Sequence, residues 1–384
     1  YTTLFRSRNK IEFNGVGRTE IYAIIPSTVN ETNFFGEIIG GKAVEIDYTD
    51  LTFNNDAVLA GENLTAQGTA AGHLVNPGTQ FEYWKDGYWL KAVSAGSESV
   101  LTANKDASIL SNGGYYNTAL HVWGKSQAEF NGKTSITVQN GVDTARAVYV
   151  YDDYDGTTRA EFNDDLTIST AGSNATYLYG IDVRAGGKVD VTKGLIMNDN
   201  NNITWSLFAM GNDSKIDINS SASGEVQVVG SVGGYDGGAV DMTLNTAASY
   251  FTGASYLKGA GKVDLDISNQ AVWNMTGTSA TTDLELASGA VIDMRADSNG
   301  YSTLTTATLG GSGGIIKQDI DVRSMESDKV LVAGDFSGTQ ALDIYQKDNY
   351  VPAGDSTEGT GLVLASVNGN GIFRSEERRV GKEC

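Results

Sequence analysis

The sequence predicts an all-β chain that forms a right-handed parallel β-helix, a solenoid of stacked rungs, with a C-terminal β cap. Short stretches alternate apolar and polar residues with a period of two and end at Gly, Asn or Asp, as strands do. Between residues 118 and 229, a unit of three such stretches recurs about every 30 residues. This period is typical of a β-helix rung, and no window has the spacing of an amphipathic helix.

The repeat contains four successive units. Its AEFN motif occurs at residues 128–131 and 160–163, 32 positions apart, and the next units follow after 29 and 27 residues. A single rung cannot bury its own apolar face, so neighbouring rungs must stack around one core. The first strands are predicted at residues 119–123, 147–151, 180–184 and 207–211, and the third strands at 135–138, 166–169, 195–198 and 225–229. Second-strand residues predicted to point inward are Ala128, Phe130, Ala160, Phe162, Val189, Val191, Ile216 and Ile218.

Residues 8–117 are predicted to form a β-rich region of the same kind with less regular spacing. Within it, residues 81–93 place aromatic side chains around Asp86-Gly87, and Asp-Gly between alternating residues is a strong hairpin signal. These aromatic residues either form a stacking platform for sugars or cover the hydrophobic core. The candidates for ligand contact are Tyr83, Trp84, Tyr88 and Trp89.

The composition limits the possible partners. The chain has 27 Lys and Arg against 47 Asp and Glu, a formal net charge of −20. Such a surface repels phosphate backbones, so no nucleic-acid partner is expected. The single Cys is Cys384, which leaves neither a disulfide nor a Cys-based metal site. No apolar run reaches the roughly 20 residues that a transmembrane helix needs.

Both ends of the chain break the pattern. Residues 1–7 and 374–384 resemble translated adapter or vector sequence, and the second stretch is dense in charge and has no alternation. We interpret both as non-native and exclude them from reasoning about the fold. The native part is then expected to be a fragment, which also explains why no signal peptide or membrane anchor is seen.

Residues 262–373 contain several motifs in a fixed order. A W-x-x-T-G-x-S stretch is followed by L-x-L, a Gly-rich corner at 309–314, an acidic stretch and an S-D-x-V-x-V-x-G-x-x-S-G run. Over roughly 110 residues, this order resembles the C-terminal part of a pertactin-like autotransporter passenger of Gram-negative type V secretion. The matching residues are Trp273, Thr276, Gly277, Ser279, Leu284, Leu286, Asp319, Asp321, Ser327, Asp328, Val330, Val332, Gly334, Ser337 and Gly338.

The resemblance implies a role for each part of the chain. Residues 118–261 would be the rungs of the passenger, and residues 262–373 a cap that assists folding and outer-membrane export as an autochaperone region. The passenger would be extracellular or on the bacterial cell surface. In the full-length protein it would be anchored by its own C-terminal outer-membrane β-barrel, which lies outside this sequence.

Catalytic motifs are sparse. The chain has two His residues, and Gly354-Asp355-Ser356 lacks the final Gly of the G-D-S-G motif found in protease passengers. The acidic pairs Asp152-Asp153 and Asp164-Asp165 are the candidates for polysaccharide cleavage. Asp153 and Asp155 match only part of a calcium loop, because Glu161 stands at the wrong spacing. We therefore expect no enzyme activity, metal or cofactor, and we retain Asp152, Asp153 and Asp155 as possible ligand-facing residues.

The expected function is that of an adhesin or a self-association module, with an unknown host-cell or matrix ligand or a second copy as partner. This expectation rests on the family and on the scarcity of catalytic groups. Two alternatives stay open, a carbohydrate-active or phage tailspike-like β-helix and a purely structural stalk. Polysaccharide cleavage that is lost on changing Asp152, Asp153, Asp164 and Asp165 together would favour the enzyme.

Overall fold

The structure is a computed structural model of the whole chain. It describes residues 4–6, 10–14, 18–25, 42–63, 73–75, 82–84, 89–152, 156–170, 173, 175–198, 203–297, 300–347 and 362–375. Three long sheets run through these residues, and neighbouring strands within each sheet are parallel, apart from the short strand Glu326–Ser327. Up to Ser255–Lys258, each rung takes one strand from each sheet in turn, and the stacked parallel strands form a parallel β-helix, as the sequence predicts.

The strands follow the same order in all three sheets. The first sheet contains Leu4–Arg6, Lys42–Asp47, Trp89–Gly96, Tyr116–Trp123, Thr144–Tyr151, Tyr177–Arg184, Trp205–Met210, Val232–Tyr235 and Ser255–Lys258. The second contains Lys10–Phe13, Asp50–Phe53, Val100–Ala103, Gln127–Phe130, Arg159–Phe162, Lys188–Val191, Lys215–Ile218, Ala239–Leu244, Lys262–Ile267, Ser279–Leu286, Thr303–Gly310, Lys329–Phe336 and Ala365–Gly369.

The third sheet contains Thr19–Ile25, Ala57–Asn63, Ala107–Asn112, Thr134–Gln139, Leu166–Ser169, Leu195–Asn198, Val226–Val229, Tyr250–Gly253, Val272–Met275, Val291–Asp293, Ser312–Asp321, Thr339–Gln346 and Ile372–Ser375. The strand Glu326–Ser327 pairs antiparallel with Ser312–Asp321. A 3₁₀ turn covers Met294–Ala296. These bounds include all four predicted repeat units, so the predicted three-strand unit is confirmed.

The core is built from stacked columns of inward side chains. All eight second-strand residues predicted to point inward are at most 1% exposed. Parallel register places Phe130 next to Phe162, and their rings stack at 5.0 Å with planes 9° apart. The inward side chains of successive rungs stack on one another in continuous columns. The apolar face of each rung is therefore buried by the rungs next to it.

A ladder of Asn side chains follows the second sheet. Nδ2 of Asn131 donates to Oδ1 of Asn104 over 3.0 Å, and Nδ2 of Asn163 donates to Oδ1 of Asn131 over 2.7 Å. Asn104 continues the ladder to Asn54 at 2.6 Å. Asn131 and Asn163 are the last residues of the two AEFN motifs. The repeated Asn therefore lies at the corner between two sheets, where its side-chain amide can both donate and accept hydrogen bonds.

The rungs change after the ninth strand of the first sheet. The strand Ser279–Leu286 begins beside Ser255, whose N–H donates to Oγ of Ser279 over 3.2 Å, and its second half pairs with Lys262–Ile267. One long strand therefore replaces two shorter ones. The second and third sheets continue through residues 262–375, so the segment predicted as a cap extends the solenoid.

The predicted hairpin around Asp86-Gly87 is wrong. The strand Glu82–Trp84 pairs antiparallel with His73–Val75, whereas Trp89–Gly96 joins the first sheet between Lys42–Asp47 and Tyr116–Trp123. Residues 90, 92, 93 and 95 are all fully buried in the solenoid. Burial of these four apolar side chains therefore outweighs the local turn signal.

Candidate ligand-binding face

The outer surface of the first sheet is rich in aromatic residues. Parallel register aligns them in columns, with His121 beside Tyr149 and Trp123 beside Tyr151. We call this surface the aromatic face, formed by the outward side chains of the first-sheet strands from Trp89–Gly96 to Ser255–Lys258. Its aromatic residues include His121, Trp123, Tyr149, Tyr151, Tyr179, Trp205, Phe208, Tyr235 and Tyr256.

At the N-terminal end of the aromatic face, the rings stack from one rung to the next. The His121 and Tyr149 rings are 5.1 Å apart with planes 7° apart, and Trp123 stacks on His121 at 6.4 Å. Nδ1 of His121 lies 2.9 Å from Nζ of Lys91. Because these rings cover one another's faces, this end is a packed column.

Two arginines share one buried carboxylate at the centre of the face. Nε of Arg146 donates to Oδ2 of Asp182 over 2.7 Å, and Nε of Arg184 donates to Oδ1 over 2.8 Å. The Asp182 side chain is 0% exposed, while Arg146 and Arg184 remain 13% and 24% exposed. The guanidinium groups are therefore held in place while part of each reaches the solvent.

The same arginines lie against aromatic rings. The Arg146 guanidinium lies 4.6 Å from the ring centre of Tyr149, and the Arg184 guanidinium lies 5.5 Å from that of Phe208. Burial, and after it the Asp182 carboxylate, raises the pKa of Tyr149 and Tyr179. Burial lowers the pKa of Arg184, but the Asp182 carboxylate outweighs it, so that pKa is raised overall. Arg184 thus keeps its charge at neutral pH.

At the C-terminal end of the face, one indole lies over bare backbone. A Cβ on Gly233 would come within 2.5 Å of Cζ3 of Trp205, so the ring rests where a side chain would otherwise stand. Tyr235 and Tyr256 meet this ring edge-on, each 5.6 Å away and at 82° and 77°. Phe208 is 4.9 Å from it. We call Trp205, Phe208, Tyr235, Tyr256 and Lys258 the Trp205 cluster.

The charge on the aromatic face differs from that of the rest of the chain. The seven first-sheet strands from Trp89–Gly96 to Ser255–Lys258 contain four basic residues and one acidic residue, although the whole chain has a net charge of −20. The basic residues are Lys91, Arg146, Arg184 and Lys258, and the acidic one is Asp182. The strands of this face therefore carry a local excess of positive charge.

The outer face of the second sheet is the opposite. Parallel register places seven acidic side chains in one column: Glu129, Glu161, Asp190, Asp217, Asp241, Asp264 and Asp283. Burial and the neighbouring Asp241 raise the pKa of Asp264 to about 6. Within the described residues, no group of three or more His, Cys, Asp or Glu is arranged to hold a metal ion.

A shallow groove of about 550 Å³ follows the corner between the second and third sheets. It runs past residues of six successive rungs, from Arg18 to Ile196, and its lining includes five charged residues and four Ser or Thr residues. Its charged groups neutralise one another in part, with Nζ of Lys133 3.5 Å from Asp165.

The structure separates the residues predicted to face a ligand. Trp89 begins a first-sheet strand beside Tyr116, and Tyr83 and Trp84 lie in the small two-stranded sheet. Tyr88, Asp153 and Asp155 lie outside the described residues. Asp152 is fully buried and accepts a hydrogen bond of 3.0 Å from the backbone N–H of Thr158, so its carboxylate lies inside the turn rather than at the surface expected for a ligand.

The remaining acidic pair has ion-pair partners. Oδ1 of Asp164 lies 3.1 Å from Nζ of Lys193, and Asp165 pairs with Lys133. The N–H of Asp165 and the cation of Lys193 lower the pKa of Asp164. Its carboxylate is therefore charged at neutral pH and lacks the raised pKa of a general acid.

The motif residues of the C-terminal segment have structural positions. Nε1 of the fully buried Trp273 donates to the carbonyl of Gly253 over 3.0 Å. The Asp328 carboxylate accepts backbone N–H bonds of 2.7 Å from Ser302 and Asp319. Leu284, Leu286, Val330 and Val332 are core residues, and Thr276 is exposed. Oγ of Ser279 donates a hydrogen bond to the carbonyl of Gly277. Gly334 lies close to the Ala307 carbonyl, and Gly338 has a φ of 89°.

The aromatic face was not predicted from the sequence, although a signal for it exists. The stretches 119–123, 147–151, 180–184 and 207–211 place large side chains at their outward positions. Within a single strand, these positions are predicted only to face the solvent. The register between strands is needed to show that they are adjacent.

Comparisons with known proteins add no family. No protein-family model matches the sequence, and no curated protein matches it. In the part of the chain that the structure describes, no helix has the length and apolar character needed to span a membrane.

Proposed function

We propose that this chain is part of the passenger of a pertactin-like autotransporter and acts outside the bacterial cell as an adhesin or self-association module. The C-terminal motif residues and the β-helical fold support the family. In the full-length protein, an outer-membrane β-barrel that follows the passenger would anchor it. The C-terminal segment would assist folding and export.

The aromatic face is the observation that carries the recognition role. It combines partly exposed rings with arginines fixed by a buried carboxylate, and aromatic and Arg side chains dominate the binding energy of many interfaces. Side chains held by the rungs lose little conformational entropy when they bind. Recognition would therefore be concentrated on this face of the solenoid.

Binding by purified protein tests the recognition role. Labelled protein is added to epithelial cells and matrix-coated wells, and its self-association is followed by sedimentation. We expect saturable binding or self-association that falls about tenfold when Trp205→Ser and Tyr256→Ser are combined. The control Tyr48→Ser removes an exposed tyrosine that lies outside the aromatic face, after the strand Lys42–Asp47, and leaves binding unchanged. Absence of both binding and self-association would contradict the proposal.

The native gene tests the family. We expect its reading frame to continue past residue 373 into alternating strands of about ten residues, as an outer-membrane barrel requires. An immediate stop codon would contradict the anchored passenger and favour a protein secreted whole.

A further inference from the structure

We propose that the Trp205 cluster, together with the basic residues of the aromatic face, binds an acidic polysaccharide that bears carboxylate or sulfate groups. This inference rests on the proposed function, because it names the ligand class for the same recognition face. Three features of the face support it: an aromatic floor, polar walls and widely spaced cations.

The floor is the indole of Trp205. Because the ring lies across Gly233, it is supported from below by the backbone of the next rung. A sugar ring presents a face of C–H groups, which are weakly positive and pack against the negative face of an aromatic ring. A glycine at this position is what allows the ring to lie flat, since a Cβ would occupy the same space.

The walls are two tyrosines. Tyr235 and Tyr256 stand nearly perpendicular to the indole on neighbouring rungs, and Tyr256 is 40% exposed. Their hydroxyl groups both donate and accept hydrogen bonds, which matches the hydroxyl groups of a saccharide. An apolar floor with a few polar groups around it is the usual composition of a small-molecule site.

The cations extend this site along the solenoid axis. Lys91 and Arg146 share one column, and Arg184 and Lys258 share a second column five positions further along the strands. Along the axis the four residues are two, one and three rungs apart, and with strands about 4.8 Å apart these axial steps are roughly 10, 5 and 14 Å. A polymer with one charge on every one or two sugar rings places anions at comparable intervals. Lys258 lies 5.9 Å from the ring centre of Tyr235, beside the aromatic floor.

Single-stranded nucleic acid would also suit aromatic rings and cations. It carries a phosphate on every nucleotide, whereas this face offers four cations on a chain with a net charge of −20. Repulsion from the remaining acidic surface grows with the ligand's charge density. The geometry therefore favours a sparsely charged saccharide.

The test is calorimetric titration of the full chain with hyaluronate, which carries one carboxylate on every second sugar ring, dextran sulfate of low substitution, with about one sulfate on every second ring, neutral dextran and oligo-dT. We expect binding to hyaluronate or to the sparsely sulfated dextran, which distinguishes carboxylate from sulfate, and at least tenfold weaker binding to neutral dextran and oligo-dT. Tighter binding of oligo-dT, or equal binding of neutral dextran, would overturn the inference. Cell adherence or self-association without acidic-saccharide binding would overturn the inference alone and leave the proposed function standing.

Variants locate the site. Trp205→Ser should weaken binding about tenfold through loss of the stacking surface. Gly233→Ala should weaken it about fivefold while removing no functional group, because it displaces the indole. Lys258→Gln should reduce the salt dependence, and Tyr48→Ser, outside the aromatic face, should change nothing. Circular dichroism confirms folding of each variant. Binding that depends on Lys258 but not on Trp205 or Gly233 would indicate simple charge attraction and overturn the site.

Discussion

The outer faces of the first and second sheets belong to the same rungs but have opposite character. In these seven rungs, the second-sheet strands from Val100–Ala103 to Lys262–Ile267 contain seven acidic and four basic residues, whereas the first-sheet face has four basic residues around one buried acid. Both faces have the same strand spacing and rest on the same core. The inward residues therefore determine the solenoid, and the outward residues are free to differ from one face to the other.

The two faces also handle charge differently. On the first sheet, Asp182 is fully buried and neutralised by two arginines. On the second, like charges follow one another along a partly exposed column, so water and a few lysines must moderate their repulsion. Loss of one carboxylate should therefore lower the stability of the folded chain on the first face and should not lower it on the second.

The largest effect is expected for Asp182→Asn. This change leaves two guanidinium groups beside a neutral amide, and breaking a buried ion pair costs about 3 to 5 kcal/mol. We expect a clear fall in the urea midpoint of unfolding. Urea denaturation followed by circular dichroism measures this midpoint.

The matched control is Asp190→Asn. Asp190 aligns with Glu161 and Asp217 in the acidic column and is partly exposed. Its loss should change stability by less than about 0.5 kcal/mol. Equal destabilisation by both substitutions would show that Asp182 does not organise the aromatic face.

An intermediate effect is expected from pH at Asp264. Its pKa is about 6 in the folded chain, because of burial and Asp241, against about 3.9 in an unfolded chain. The folded state therefore takes up a proton first as pH falls from 7 to 5, and its stability should rise over this range. The stabilisation gained by protonating Asp264 is complete below about pH 4, and it is lost as the pH rises above the pKa of Asp264 in the folded chain.

Asp264→Asn tests this dependence. The variant should be more stable than the original chain at pH 7 and should show a flatter rise in melting temperature towards pH 5. The charged groups acting on Asp264 are Asp241, Asp283 and Lys262. A variant less stable than the original at pH 7 would contradict repulsion within the column.

The sequence predicts the inside of the solenoid better than its outside. Alternation identifies Phe130 and Phe162 as inward residues because burial depends on each strand's own pattern. The contact between Arg146 and Asp182 joins residues 36 positions apart, and variable rung lengths hide this register until the strands are aligned. The error at Asp86-Gly87 has a related cause, since a local turn signal competes with pairing to distant strands.

The smallest expected effect concerns Lys215, which moderates the acidic column. Its Nζ lies 2.7 Å from Asp217 and 2.9 Å from Asp241, on two successive rungs, but 42% of its side chain is exposed. Exposed ion pairs contribute up to about 1 kcal/mol, so Lys215→Gln should lower stability by roughly 0.5 kcal/mol at low salt and by less at high salt.

Lys188→Gln is its control, because Lys188 occupies the same column one rung earlier and makes no ion pair with any residue that the structure describes. Urea midpoints at low and high salt compare the two variants. Equal effects would mean that the net loss of one positive charge matters and that the bridging position of Lys215 does not. A larger effect for Lys215 that high salt removes would show that one lysine offsets the repulsion between the carboxylates of two rungs. On the aromatic face, the buried carboxylate of Asp182 does the same between two arginines.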